Sequence, residues 1–251
     1  IIDSTANLRD AARRIAFGKF MNNGQTCIAP DYVLLDATIE ADFLSLLREE
    51  VKRIFGDGKE ITEQSSSYSR LATERQFNRI HDLVEDAMNR GAKADRLGSV
   101  NKSDRFIAPV ILTQVPPDAR IWEEEIFGPV LPVATYENPE HAVEFIRRRP
   151  KPLALYIFSH RKEFQELLLT QISSGTACIN DCVLQFTHPN LPFGGVNQSG
   201  IGKSHGRYGF LAFSNEKPVL RQKSGYAGPY LLHPPYTKGM KKIVDALLKW
   251  F

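Results

Sequence analysis

The sequence predicts an α/β fold, a mostly parallel, doubly wound sheet followed by an extended C-terminal arm. Three observations carry that expectation. Apolar residues switch repeatedly between a 3.6-residue period and short continuous runs, the patterns of amphipathic helices and of buried strands. The two kinds of segment alternate along the chain, which favours parallel strands covered by helices on both faces. The tail differs, because Gly225 to Lys238 is rich in Pro, Gly and Tyr.

In order, Ile1-Ile2-Asp3 reads as the tail of a strand, with Asp3 or Ser4 capping a helix to Phe20 whose Leu8, Ala11, Ala12, Ile15 and Ala16 share one face. A polar turn containing Cys27 leads to a strand at Tyr32-Val33-Leu34-Leu35. Thr38 then caps a helix carrying Phe43, Leu46, Leu47, Val51 and Ile54. Gly56 to Ser69 is a polar loop. The helix after it buries Ile80, Leu83, Val84, Ala87 and Met88 and stops at Gly91. Phe106 to Leu112 reads as a strand, with Pro109 arguing for an edge or bulge. Leu131 to Tyr136 is the next strand.

Asn138 caps a helix with Pro139 at its first position, where proline loses no needed N–H. Leu153 to Phe158 is a strand, Ser159 caps the helix of Phe164, Leu167, Leu168 and Ile172, and Gly175 stops it before a last strand at Thr176 to Asn180. At the C-terminus Met240, Ile243, Val244, Leu247, Leu248 and Phe251 share a helical face, with Lys241, Lys242 and Lys249 off it. Packing on a partner subunit or on its own body is the preferred reading of that helix. Contact with a membrane surface is the alternative, disfavoured because one short helix binds lipid weakly.

Composition narrows the function. The 251 residues are 42% hydrophobic and 24% charged, enough for one large domain or two small ones. A net charge of +3 from 32 basic and 29 acidic residues is too balanced for nucleic acid, and Arg147-Arg148-Arg149 reads as a solvated helix end. No apolar run reaches the roughly 18 residues of a membrane span, and no secretory core opens the chain. Three cysteines argue against a disulfide framework and for a reducing, cytoplasmic setting. Cys178 and Cys182 lack a second pair to complete a zinc site and read as structural thiols; the six histidines show no metal spacing, so no metal is expected. The chain opens without Met and in mid-element, and is expected to be part of something longer.

Three motifs carry chemistry. Asn22-Asn23-Gly24-Gln25-Thr26-Cys27-Ile28-Ala29-Pro30 puts a cysteine in a turn after a helix, where sulfur can meet a substrate and backbone N–H groups can meet an oxyanion. Glu123-Glu124-Glu125-Ile126-Phe127-Gly128-Pro129-Val130 sets three carboxylates before an apolar turn. The third runs from Leu191-Pro192-Phe193-Gly194-Gly195 to Gly200-Ile201-Gly202-Lys203-Ser204. It is no P-loop, because the required leading glycine falls on Asn197, and no dinucleotide fingerprint, because the last glycine falls on His205.

Together these motifs resemble the aldehyde dehydrogenase superfamily, and Asp31-Tyr32 after Ala29-Pro30 points to its class 3, fatty and aromatic aldehyde branch. The resemblance covers essentially the whole chain and implies NAD- or NADP-dependent oxidation of aldehydes to carboxylic acids in the intact enzyme. It makes Cys27 the nucleophile, Glu125 the acceptor for the nicotinamide ribose hydroxyls, Phe127 a neighbour of the nicotinamide and Phe193 a lining of the substrate tunnel. Class 3 members usually have Gly where Asn197 stands. The family's dinucleotide-binding domain, general-base glutamate and oxyanion asparagine are expected outside this chain, leaving a catalytic domain at residues 1–205 and an arm with its terminal helix at 206–251. The cofactor site would then be incomplete here, the isolated chain inactive, and the intact enzyme a homodimer. A relative forming a coenzyme A thioester, or reducing a phosphate ester, would share the cysteine. A non-catalytic interaction module acting through the basic tail is the reading from a different class.

Overall fold

The computed structural model describes residues 1–225 and 233–250. It falls into two compact units, Ile1–Phe213 and Ser214–Phe251. In the first, the helix α1 (Leu8–Phe20) precedes β1 (Val33–Asp36), α2 (Glu40–Phe55), α3 (Glu74–Asn89) and β2 (Lys93–Arg96). Two short strands, β3 (Val100–Asn101) and β4 (Phe106–Ile107), are followed by β5 (Val110–Thr113), β6 (Val130–Tyr136), α4 (Pro139–Arg147) and β7 (Ala154–Ile157). α5 (Lys162–Gln171), β8 (Thr176–Ile179) and α6 (Gly206–Ala212) complete the unit.

Hydrogen bonding orders four strands as β1-β6-β5-β2, with β1–β6 and β5–β6 parallel and the edge strand β2 antiparallel. β7 and β8 form a parallel pair. Ile2 joins the two groups through parallel bridges to Leu35 and Phe158, so the expected strand tail at Ile1-Ile2-Asp3 is a single-residue splice. The expected parallel-dominant α/β architecture is what forms.

Side-chain alternation shows the double winding. In β1, Val33 and Leu35 join the core made with Ala12, Ile15 and Phe20 of α1 and Phe43, Leu47 and Val51 of α2. Leu34 between them packs with Ala142 of α4 and Leu168 of α5 on the opposite face. β5 repeats the rule: Ile111 faces the α1–α2 core, while Val110 and Leu112 meet Phe77, Ile80 and Val84 of α3. Burial on both faces is why these strands read as continuous apolar runs.

Local chemistry shifts several expected boundaries. α1 starts at Leu8 because Asn7, not Asp3 or Ser4, accepts the Asp10 N–H at 3.1 Å. Asp3 is instead fully buried, accepting from Thr5 and from Arg161 at 2.7 Å. Asp36, not Thr38, makes the cap before α2, taking the Thr38 N–H and hydroxyl at 3.0 and 2.6 Å. Ser159 accepts from Arg161 N at 3.0 Å, one turn ahead of α5, whose own cap residue, Arg161, makes no capping bond with its side chain. Gly175 does not stop that helix, which ends at Gln171; a Cβ there would stand 2.4 Å from Gly194 O. Pro109 divides the expected 106–112 strand into β4 and β5, and Met88 is partly exposed. Asn138 and Pro139 open α4 as expected, with His141 N donating to Asn138 Oδ1 at 3.0 Å, and Gly91 takes φ +112° after α3.

In the second unit α7 (Lys238–Leu247) is capped by Thr237, which accepts from Met240 N at 3.4 Å. Ile243, Val244, Leu247 and Leu248 are exposed along it. Residues 226–232 of the expected arm, and Phe251 of its apolar face, lie outside the described residues. No helix among the described residues is long and apolar enough to cross a membrane.

Candidate active site

The cysteine turn is shaped by its own sequence. After α1 the chain takes three consecutive left-handed residues, Asn22, Asn23 and Gly24, at φ 52°, 59° and 73°. Asn and Gly are the residues that tolerate this region. Gly24 is required for a second reason: a Cβ there would lie 2.2 Å from the carbonyl oxygen of Gly128. The cysteine turn and the Glu-Ile-Phe-Gly loop therefore touch backbone to backbone.

The polar residues of the motif act as anchors. Gln25 Oε1 accepts from Ala72 N at 2.8 Å, its Nε2 donates to Arg70 O at 3.0 Å, and Asn23 Nδ2 donates to Ser69 O at 2.9 Å. From the other side Tyr156 hydroxyl donates to Ile28 O at 2.7 Å and accepts from Gln185 Nε2 at 3.1 Å. Cys27 sits between these fixed points and is exposed.

Cys27 and Glu125 line one cavity of about 520 Å³. Tyr32, Trp122, Arg149 and Gln198 share its wall. Tyr32, Trp122 and Phe145 pack edge to face, and the Arg149 guanidinium lies 3.6 Å from the Phe145 centroid. Burial pushes the Tyr32 phenol up to about 12.

The other two expected residues stand apart from this cavity. Phe127 is partly buried, at φ 46°, and is not among the lining residues. Phe193 is partly buried, stacked on His205 at 5.6 Å between centroids and edge-on to Phe186 at 5.0 Å. The Gly-rich segment reaches the cavity through Gln198 and Ser199 instead. Lys203, which made the run look like a P-loop, donates to the carbonyls of Gly175 and Gly194 at 2.7 and 2.6 Å.

A charge cluster that the sequence reading missed supports the acidic loop. Ile126 N donates to Asp31 Oδ1 at 3.0 Å, and Arg79 of α3 donates to Glu125 O at 3.2 Å. Arg79 also faces Glu124 at 3.5 Å. Lys19 is almost fully buried at the end of α1; burial lowers its ammonium to about 8, with Asp31 and Glu125 opposing the shift. Burial raises the Asp31 carboxyl against the pull of Lys19, the Ile126 N–H and Arg79. Glu125 is raised by burial and then by Asp31, with Lys19 and Arg79 opposing. A signal for Lys19 existed: it continues the apolar face of Leu8, Ala12, Ile15 and Ala16 one helical turn on, a core position holding a charge. Arg79 and Arg149 gave no such signal, being ordinary helix-surface residues by pattern.

The described site thus holds an exposed thiol and a carboxylate on one cavity, fixed to a doubly wound sheet. Residues 1–219 match the family model described as the aldehyde dehydrogenase family. The chain is 45% identical over 222 residues to a putative aldehyde dehydrogenase, AldX, of Bacillus subtilis, covering 88% of this chain and 50% of that protein. It is 42% identical over 238 residues to aldehyde dehydrogenase family 3 member A2 of Rattus norvegicus, covering 94% and 48%. A substrate-bound structure of Staphylococcus aureus AldH superposes with a TM-score of 0.86 at 37% identity, covering 98% of this chain and 52% of that one. The chain spans about half the length of the relatives it matches. A family model matched over residues 1–219, with relatives 45% and 42% identical over most of this chain, makes it a member of the aldehyde dehydrogenase family.

Proposed function

We propose that the intact protein oxidises aldehydes to carboxylic acids with NAD or NADP, and that Cys27 is its nucleophile. The observation that carries this reading is the shared cavity: an exposed cysteine and Glu125 both line it. The names of similar proteins agree with it, including a Rattus norvegicus relative called dimeric and NADP-preferring that is 41% identical over 219 residues. A homodimer of the intact protein is part of the proposal, as is a fatty or aromatic aldehyde as substrate.

The Cys27 thiolate adds to the aldehyde carbon; the S–C bond forms and the carbonyl π pair becomes an oxyanion. The backbone N–H of Cys27, which donates to no acceptor among the described residues, supports that oxygen. A nicotinamide dinucleotide bound at this cavity would supply the hydride acceptor. Glu125 fits its ribose, since a carboxylate on the cavity wall accepts from two vicinal hydroxyls. Loss of hydride leaves a thioester on Cys27, and water then breaks the S–C bond to release the acid. The apolar faces of Tyr32 and Trp122 on the cavity, backed by Phe145, keep that bond from premature hydrolysis. Phe127 beside the nicotinamide and Phe193 in a substrate tunnel remain part of the proposal, with no place on this cavity.

The test is aldehyde-dependent NAD(P)H formation by the intact protein, with mass spectrometry of the quenched enzyme. The expected result is an acyl adduct on Cys27 that disappears in Cys27→Ala together with turnover. Turnover surviving that substitution would overturn the proposal. Residues 1–251 alone are expected not to turn over.

A further inference from the structure

We propose that α7 lies flat on an anionic membrane surface, its apolar half sunk into the lipid and its lysines among the headgroups. The inference is independent of the chemistry proposed for Cys27.

Three observations lead to it. The first is the face. α7 winds on beyond Leu247, since Trp250 N donates to Leu247 O at 3.0 Å. At about 3.6 residues per turn, Met240, Ile243, Val244, Leu247, Leu248 and Trp250 fall on one half of this cylinder. Ile243, Val244, Leu247, Leu248 and Trp250 are exposed, Leu248 at 70% and Trp250 at 90%. An apolar face of this extent left in water marks a site of protein or membrane contact.

The second is charge. Lys238, Lys241, Lys242 and Lys249 lie off that half, with Asp245 the one acid from Lys238 to Phe251. Residues 214–251 hold seven of the 32 basic residues and two of the 29 acidic ones, so residues 1–213 carry a slight excess of acid. An apolar seam between two copies would draw two strongly basic tails together with little acid to pair them, which disfavours a second copy as the occupant. Negatively charged headgroups complement the lysines instead.

The third is length and the last residue of the face. No helix among the described residues is long and apolar enough to cross a membrane, whereas an amphipathic helix with a basic polar side lies in the interface. Trp250 closes the apolar face, and an indole with its N–H is at home at headgroup level. The weak lipid affinity of one short helix is offset by the charge around it: each lysine held at an anionic surface strengthens binding about fivefold.

The experiment floats the intact protein with vesicles of phosphatidylcholine, alone or mixed with phosphatidylserine. The protein should float with the mixed vesicles, at least about tenfold less with phosphatidylcholine alone, and hardly at all in about 0.5 M salt. Indole emission should shift to the blue on the mixed vesicles, and Trp250→Phe should remove that shift. Leu247→Glu with Leu248→Glu keeps good helix formers and should lower partitioning at least about tenfold. Lys241→Gln with Lys242→Gln and Lys249→Gln should lower it about a hundredfold, on the mixed vesicles only. No flotation of the parent, or flotation that survives the paired Leu substitutions, overturns the proposal. So does a sedimentation mass that falls in the paired variant while the parent ignores vesicles, because the face then belongs to a second copy. If the paired variant does not fold, the lysine variant decides alone, and unchanged binding to the mixed vesicles overturns the proposal.

Discussion

Two thiols lie beside the same helix in opposite surroundings. Cys27 follows α1 through a left-handed turn that leaves it exposed on the cavity that Glu125 also lines. Cys182 packs against the side of α1, where it donates to Arg14 O at 3.0 Å, and burial pushes its thiol up to about 12. A protonated thiol held by a carbonyl is a small core residue. Exposure here is thus a property of the turn, and the residue type contributes only the possibility of reaction.

The largest test of that contrast is activity. Cys27→Ala should lower aldehyde oxidation by the intact protein at least about a thousandfold, whereas Cys182→Ala should stay within a few-fold. Equal losses would erase the distinction. The next test is the turn itself. Gly24→Ala demands a left-handed alanine 2.2 Å from Gly128 O, and should destabilise by about 3 kcal/mol in denaturant melts. A stable, active Gly24→Ala protein would show that the two loops need not touch.

The packed thiol gives a smaller effect with a built-in control. A Cβ on Gly18 would stand 2.5 Å from Cys182 Sγ, so Gly18→Ala should cost about 1–3 kcal/mol, and adding Cys182→Ala should recover part of it. Iodoacetamide at pH 8 should then rank the three thiols, Cys27 first. Cys178 should follow, since burial and then Asp181 raise its thiol, and Cys182 should react only on unfolding. The smallest effect is expected from Tyr156→Phe, which removes the bond to Ile28 O: about 1 kcal/mol of stability, with faster exchange of amides in the cysteine turn.

Much of the fold was legible because burial on two faces writes itself as apolar runs and periodic helices. The runs around Leu34, Leu131 and Leu155 became strands, and Asn138-Pro139 opened its helix as capping chemistry requires. Caps were read less well, because Ser, Thr and Asp can bond their own turn as readily as a helix start; Asp36 and Ser159 did so. The antiparallel edge strand β2, Lys-Ala-Asp-Arg, has no strand pattern at all and owes its state to pairing with β5. At the site, Cys27 and Glu125 were found by motif and share a cavity. Phe193, found in the same way, packs on His205 and Phe186 away from that cavity.

By itself the sequence determined the class of fold and the family, since each is carried by local pattern or by short motifs. The tertiary structure alone decided which charges meet. Asp31, Arg79 and Glu124 are far apart in sequence and are brought together by the turn before β1, α3 and the loop before β6. The reason is physical: backbone preference acts between neighbours in sequence, whereas desolvation and Coulomb energy depend on what lies nearby in space.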